Sequence, residues 1–229
     1  VPVVSAPQQP VVAEMIQETC ARLGCTLQFA EDIGPVFASL AGQTFGFAGN
    51  RYGIHMIGAM QPVNAAVAVL TAQTLGLPQV AIAQGLKDAT VPCRTQYIPG
   101  EPELLLDGAH NVPAMDALLE TLDEYFTGRE ITLMFACMRN KDYAGMVRRL
   151  GPRCGKAFVT RVDDMRGLET ATLQPLFAEY TDCTAEDNPG RAYQLAWEYA
   201  HERGALLLVC GSLYLAGYVW GSVRGKPVP

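Results

Sequence analysis

Leu104-Leu105-Leu106 runs into Asp107, and Gly108-Ala109-His110-Asn111 follows before Val112-Pro113 opens a helical pattern. A carboxylate, an imidazole and an amide thus crowd the C-terminal end of a predicted strand, the edge at which open α/β sheets bind ligands. Asn111 is placed to cap the next helix, and a helix start offers free N–H groups and a positive dipole end to an anion. Asp-Gly and His-Asn are also ordinary turn residues, and local pattern leaves that alternative open.

Other polar groups are individually ambiguous. Asn64, one turn into a helix that begins near Gln61-Pro62, could hydrogen-bond a purine edge or simply be a polar residue at a helix start. Arg94 could grip a phosphate with its fork of donors, or be a solvated linker arginine. Lys141, in Arg139-Asn140-Lys141-Asp142, could meet an anion, although capping by Asn140 or Asp142 explains that segment equally well. Gly211-Ser212 has the same ambiguity. No GxxxxGK[ST] loop occurs in these residues, so none of them cradles a triphosphate in that manner.

The elements that must position these groups follow from periodicity. Val1 to Val4, a helical face at Val11, Val12, Met15, Ile16, Cys20 and Leu23 stopped by Gly24, and Thr26 to Phe29 predict a β-α-β opening with parallel strands. Gly34 to Gly53 predicts a short hairpin or loop region, and Ile54 to Gly58 an edge strand. Helices are predicted from Pro62 and from Pro78 to about Lys87. Asp88 to Arg94, polar and broken by Pro92, is the expected linker. Beyond it, strand-like runs at 104–107, 131–137, 157–162, 182–185 and 205–210 alternate with helical patterns at 112–126, 143–150, 172–178, 190–203 and 213–220. That rhythm predicts an α/β fold with a doubly wound, mostly parallel sheet.

Composition narrows the classes. Hydrophobic residues make up 49% and charged residues 17%, as in an ordinary folded protein. A net charge of -6 argues against a general nucleic-acid binder, which needs basic surface, but leaves a nucleotide pocket open. The apolar runs are too short to span a bilayer, and no charged-then-apolar leader opens the chain. The seven cysteines form no CxxC pair and sit mostly in apolar stretches; with only three histidines, they predict reduced core thiols of a cytoplasmic protein and no metal site.

Taken in order, Gln61-Pro62-Val63-Asn64-Ala65-Ala66, Pro92-Cys93-Arg94, Asp107-Gly108-Ala109-His110-Asn111, Asn140-Lys141-Asp142 and Gly211-Ser212-Leu213-Tyr214-Leu215-Ala216-Gly217 resemble the C-terminal part of folylpolyglutamate synthase/dihydrofolate synthase, the folate branch of the Mur ligase superfamily. Val1-Pro2-Val3-Val4-Ser5 is similar to a segment of that family's central ATPase domain. The resemblance implies that residues 1–91 are the tail of the central domain and 92–229 a Rossmann-like glutamate ligase domain. It also implies that the phosphate loop, magnesium ligands and carbamylated lysine precede Val1, so that the chain alone is inactive.

By the same resemblance, Asn64 lies near adenine, Arg94 and Asp107 contact ATP, and His110 approaches the terminal phosphate. The carboxylate of folate or dihydropteroate would be activated by ATP, with Mg2+, as an acyl phosphate and attacked by the amine of glutamate. Asp107 is expected to position ribose hydroxyls or a cation, with His110 and Arg94 as the electrostatic helpers. The full-length enzyme is expected to be a cytoplasmic monomer that binds neither nucleic acid nor membrane. Three positions depart from the family pattern: Met60 stands for a histidine, Cys93 for a glycine and Asn140 for an aspartate. A cell-wall Mur-type ligase and a non-catalytic nucleotide-binding α/β module are the alternative readings.

Overall fold

The computed structural model describes residues 1–162 and 165–225. They form two compact units, one ending at Thr90 and the other beginning at Val91. The first opens with β1 (Val3–Ser5), α1 (Pro10–Leu23) and β2 (Leu27–Phe29), and β1 pairs parallel with β2, Val3 opposite Leu27. Pro10 starts α1, where its missing N–H costs nothing, and Gly24 ends it in the left-handed region at φ 63. The predicted apolar face of α1 is not buried within this unit: Cys20 is, but Val11, Met15 and Leu23 are exposed. A two-stranded sheet is too narrow to cover a helix of that length.

The Gly34 to Gly53 region is more regular than expected. It forms an antiparallel meander of β3 (Val36–Ser39), β4 (Gly42–Phe47) and β5 (Asn50–Ile54). The edge strand expected over Ile54 to Gly58 is a correction, because β5 stops at Ile54. The carbonyls of Met56 and Gly58 instead accept from the buried Gln43 amide at 3.1 and 2.9 Å, which removes them from any strand ladder. Helices α2 (Met60–Thr74) and α3 (Gln79–Asp88) pack Ala65, Ala66, Val69 and Ile82 onto Phe45, Tyr52 and Ile54.

The second unit carries β6 (Gln96–Ile98), β7 (Leu104–Leu106), α4 (Val112–Tyr125), β8 (Ile131–Phe135), α5 (Tyr143–Leu150), β9 (Lys156–Val159), α6 (Thr170–Ala178), β10 (Asp182–Ala185), α7 (Pro189–Arg203), β11 (Leu206–Cys210) and α8 (Leu213–Val223). The strands form one sheet in the order β10-β9-β8-β11-β7-β6, parallel except for β6. Alternate strand residues serve opposite helical layers. Leu104, Leu106, Met134, Leu207 and Val209 join Ala192, Ala196 and Ala200 of α7 and Leu215 and Ala216 of α8, whereas Phe135 meets Phe177 of α6 edge-on at 5.2 Å. Covered on both faces, these strands read as the continuous apolar runs seen in the sequence. Because β11, the last strand, inserts between β7 and β8, the strand ends leading to Asp107, to Met138–Asp142 and to Gly211 lie side by side. Among the described residues no helix is long and apolar enough to cross a membrane.

The edge strand β6 has no counterpart in the sequence reading. A side-chain cluster pins it: the Tyr97 hydroxyl donates to Glu103, which also accepts from Arg129. The Tyr97 bond, followed by the Arg129 contact, holds the Glu103 carboxyl below its ordinary value in spite of partial burial, and burial together with Glu103 pushes the Tyr97 phenol up to about 12. Because Glu103 is more acidic folded than unfolded, its contribution is present above the unfolded glutamate pKa of about 4.3 and is lost as pH falls through the lower folded value. Glu103→Gln is therefore expected to destabilise by about 1 kcal/mol at pH 7, with the difference from wild type shrinking in acid. Urea melts of both proteins at pH 7 and below pH 4 check this; a gap that stays constant would exclude an ionic contribution.

Candidate functional site

The second unit joins motifs that are far apart in the chain. After β7, the Asp107 N–H donates to Val209 O at 3.0 Å, the Gly108 N–H to Cys93 O at 2.7 Å, and the Gly211 N–H to Ala109 O at 2.9 Å. The approach at Gly108 is close, since a Cβ there would lie 2.8 Å from Leu213 Cδ1 and 3.4 Å from the Cys93 carbonyl oxygen. The Pro92-Cys93-Arg94, Asp107-to-Asn111 and Gly211-to-Gly217 segments are thus one packed assembly. Asn140-Lys141-Asp142 joins it through the next helix, because a Cβ on Gly145 would stand 2.8 Å from Val112 Cγ2 at the start of α4. The helix starts at this edge are capped from within: Asn111 Oδ1 accepts from the Ala114 N–H at 2.9 Å, Asp142 Oδ1 from the Gly145 N–H at 2.8 Å, and the buried Ser212 Oγ from the Tyr214 N–H at 3.2 Å. Of the two capping candidates before α5, Asp142 is the one used.

Asp107 is buried, and both of its carboxylate oxygens accept hydrogen bonds from the chain. Its Oδ2 accepts from the Thr95 N–H at 2.7 Å and from the Thr95 hydroxyl at 2.9 Å, and its Oδ1 accepts from the Ala109 N–H at 2.6 Å. Burial pushes its pKa up, while the Thr95 and Ala109 bonds and the nearby Arg94 charge pull it back. The expectation that Asp107 positions ribose hydroxyls or a cation thus meets a carboxylate whose oxygens already hold this turn. Thr95, which the sequence reading did not single out, is the residue Asp107 serves. Nothing in the local pattern marks it, since a threonine after an arginine gives no signal of burial.

His110 and Arg94 are exposed on this assembly. His110 Nδ1 lies 2.9 Å from Gly108 O. A carbonyl only accepts, so Nδ1 carries the proton there and Nε2 is the nitrogen left for a ligand. The Arg94 guanidinium makes no hydrogen bond to a described residue, and neither does the half-buried Lys141 ammonium. Cys93 beside Arg94 is buried, and burial, with the Asp107 charge second, pushes its thiol up to about 11. It therefore stays protonated and is no nucleophile at neutral pH. Asn64 belongs to the other unit, exposed in the second turn of α2, where its amide donates to Gln61 Oε1 at 3.3 Å.

The groups at this edge suit phosphate oxygens: an outward imidazole nitrogen that donates when the ring is protonated, two cationic side chains with no hydrogen-bonded partner among the described residues, and the N-termini of α4, α5 and α8. Among the described residues no group of three or more His, Cys, Asp or Glu is placed to hold a metal ion.

The family model for the Mur ligase, glutamate ligase domain matches residues 93–213. The chain is 29% identical over 164 residues to the dihydrofolate synthase/folylpolyglutamate synthase of Bacillus subtilis, a match covering 66% of this chain and 38% of that protein. It is 26% identical over 239 residues to the folylpolyglutamate synthase of Lacticaseibacillus casei, covering 98% of this chain and 54% of that one. Its fold matches the crystal structure of Mycobacterium tuberculosis folylpolyglutamate synthase complexed with ADP and AMPPCP with a TM-score of 0.88 at 21% identity, over all of this chain and 56% of that chain. The matches therefore span between 38% and 56% of the length of these three proteins. The match from 93 to 213 takes in the Arg94 turn, the Asp107–Asn111 turn, the Asn140–Asp142 loop and the start of the last helix, and by it the chain belongs to the Mur ligase family through its glutamate ligase domain.

Proposed function

We propose that these residues are the C-terminal, phosphate-facing part of an ATP-dependent ligase that joins L-glutamate to folate, with dihydropteroate as a second acceptor. The observation that carries the reading is the match of the strand-end assembly to the glutamate ligase domain, in a chain whose relatives are named folylpolyglutamate or dihydrofolate synthases. In this reading residues 1–91 are the tail of the central ATPase domain and 92–229 the glutamate ligase domain. ATP supplies the phosphoryl group that turns a poor electrophile, the acceptor carboxylate, into an acyl phosphate. The glutamate amine then forms the C–N bond, loses its proton to solvent, and expels phosphate as the C–O bond breaks.

The chain's own residues serve this chemistry by charge and position. His110 Nε2 and the Arg94 guanidinium face the transferring phosphoryl group and offset the charge that builds on its oxygens. Asn64 is assigned to the adenine edge. Mg2+ accompanies ATP in this reading, and no step is assigned to it among the residues described.

The test is product formation by the full-length protein. Phosphate release that requires ATP, glutamate and either tetrahydrofolate or dihydropteroate is expected, with a glutamylated product seen by mass spectrometry; no glutamate-dependent release with either acceptor would overturn the reading. Residues 1–229 alone are expected to release no phosphate under the same conditions. Turnover by them would show that the chain supplies a complete phosphoryl-transfer site.

A further inference from the structure

The turn that presents Arg94 has a backbone its sequence does not favour. Cys93 lies at φ 59 and Thr95 at φ 44, so the residues on either side of Arg94 are both in the left-handed region without being glycine. A β-branched residue is a marked outlier there, and such conformations persist only where the surroundings over-determine them. Here they do. The Cys93 N–H donates to Gln96 Oε1 at 2.9 Å, the Cys93 carbonyl accepts from the Gly108 N–H at 2.7 Å, and Thr95 gives both its N–H and its hydroxyl to one oxygen of Asp107. The other Asp107 oxygen is fixed by the Ala109 N–H, which ties the turn to the segment carrying His110.

From this geometry we infer that Thr95 and Asp107 form a clip that holds the Cys93–Thr95 turn in its left-handed form and so aims the Arg94 guanidinium. Thr95 is a positioning residue, and Asp107 acts on the reaction through it. The inference rests on the assignment of Arg94 to the phosphoryl group made above. It differs from direct contact between Asp107 and the nucleotide in a way that can be measured: the effect of the clip must pass through Arg94.

In the full-length protein, Thr95→Val removes the hydroxyl bond while keeping shape and branching, and is expected to lower kcat/KM for ATP about tenfold with the KM for glutamate little changed. Thr95→Ser keeps the hydroxyl and is expected to restore activity to within about twofold. In an Arg94→Ala background, Thr95→Val is expected to add no further loss, as befits residues that act as a unit. A multiplicative loss in that background, or full activity in Thr95→Val, would overturn the clip.

A second measurement is independent of turnover and separates this inference from the proposed function. The Thr95 and Gly108 amides are expected to be protected from hydrogen exchange, and Asp107→Asn to speed both by about tenfold or more while the strands of the sheet keep their protection. If that holds in a protein without folate ligase activity, the clip stands and the functional reading fails. If both amides exchange freely in the wild type, the clip fails whatever the protein catalyses.

Discussion

Gly211→Ala is expected to destabilise the second unit by about 2–5 kcal/mol, the largest stability effect of any single methyl added at the strand-end assembly. Gly211 follows β11 at φ 94, a backbone state that favours glycine, and strain there costs ~1–3 kcal/mol. The added Cβ would overlap the Ala136 carbonyl oxygen and lie 2.5 Å from Phe135 Cε2. Neither neighbour can give way: the first is backbone, and the second is a fully buried ring packed against Phe177. Gly217, six residues on in the same motif, is the control. It is exposed within α8 and a Cβ there would meet nothing within 4 Å, so Gly217→Ala should be neutral or stabilise by up to about 1 kcal/mol. Thermal melts of the two variants check the contrast, with a fall of roughly 10 °C expected for the first alone. Equal melting temperatures would mean that the close packing of Gly211 on β8 is wrong.

The contrast also marks where the sequence stops being legible. The β-α rhythm of residues 104–223 could be read because the central strands are short apolar runs, such as Leu206–Cys210, and α4, α5, α7 and α8 each start at a local side-chain cap, as α5 does at Asp142. β6 could not be read: Gln96-Tyr97-Ile98 is three residues long, lies at an edge, and is fixed by Glu103 and Arg129, whose partnership with Tyr97 is tertiary. The end of β5 was hidden for a similar reason, since the carbonyls that an extended strand would use are taken by Gln43 from β4. At the site, Asn111 as a cap followed from local pattern, whereas the insertion of β11 between β7 and β8, which sets the strand ends side by side, is a long-range pairing that no local pattern marks. The loss of a glycine at Cys93 was also visible. That the cysteine keeps a left-handed backbone, and that Asp107 and Thr95 hold it there, depends on groups twelve residues apart meeting in space.

His110 carries the largest expected effect on activity. In the full-length protein His110→Ala should lower kcat by about 10²-fold, in the range seen when one donor to a developing oxyanion is removed. Stability should change by less than about 0.5 kcal/mol, because the side chain is exposed and its bond is to Gly108, two residues away. The geometry allows a sharper test than alanine. With Nδ1 donating to Gly108 O, a ligand meets Nε2, which donates only when the ring is an imidazolium. Glutamine reproduces the Nε2 position with a neutral N–H, whereas asparagine reproduces only the Nδ1 position and its bond to Gly108. Activity should therefore fall in the order wild type, His110→Gln, then His110→Asn close to His110→Ala, with equal melting temperatures throughout. Asparagine as active as wild type would make His110 a turn-former whose outward nitrogen does nothing. The expected order would instead place a donating Nε2 against the phosphoryl group and leave the Gly108 bond as the device that orients it.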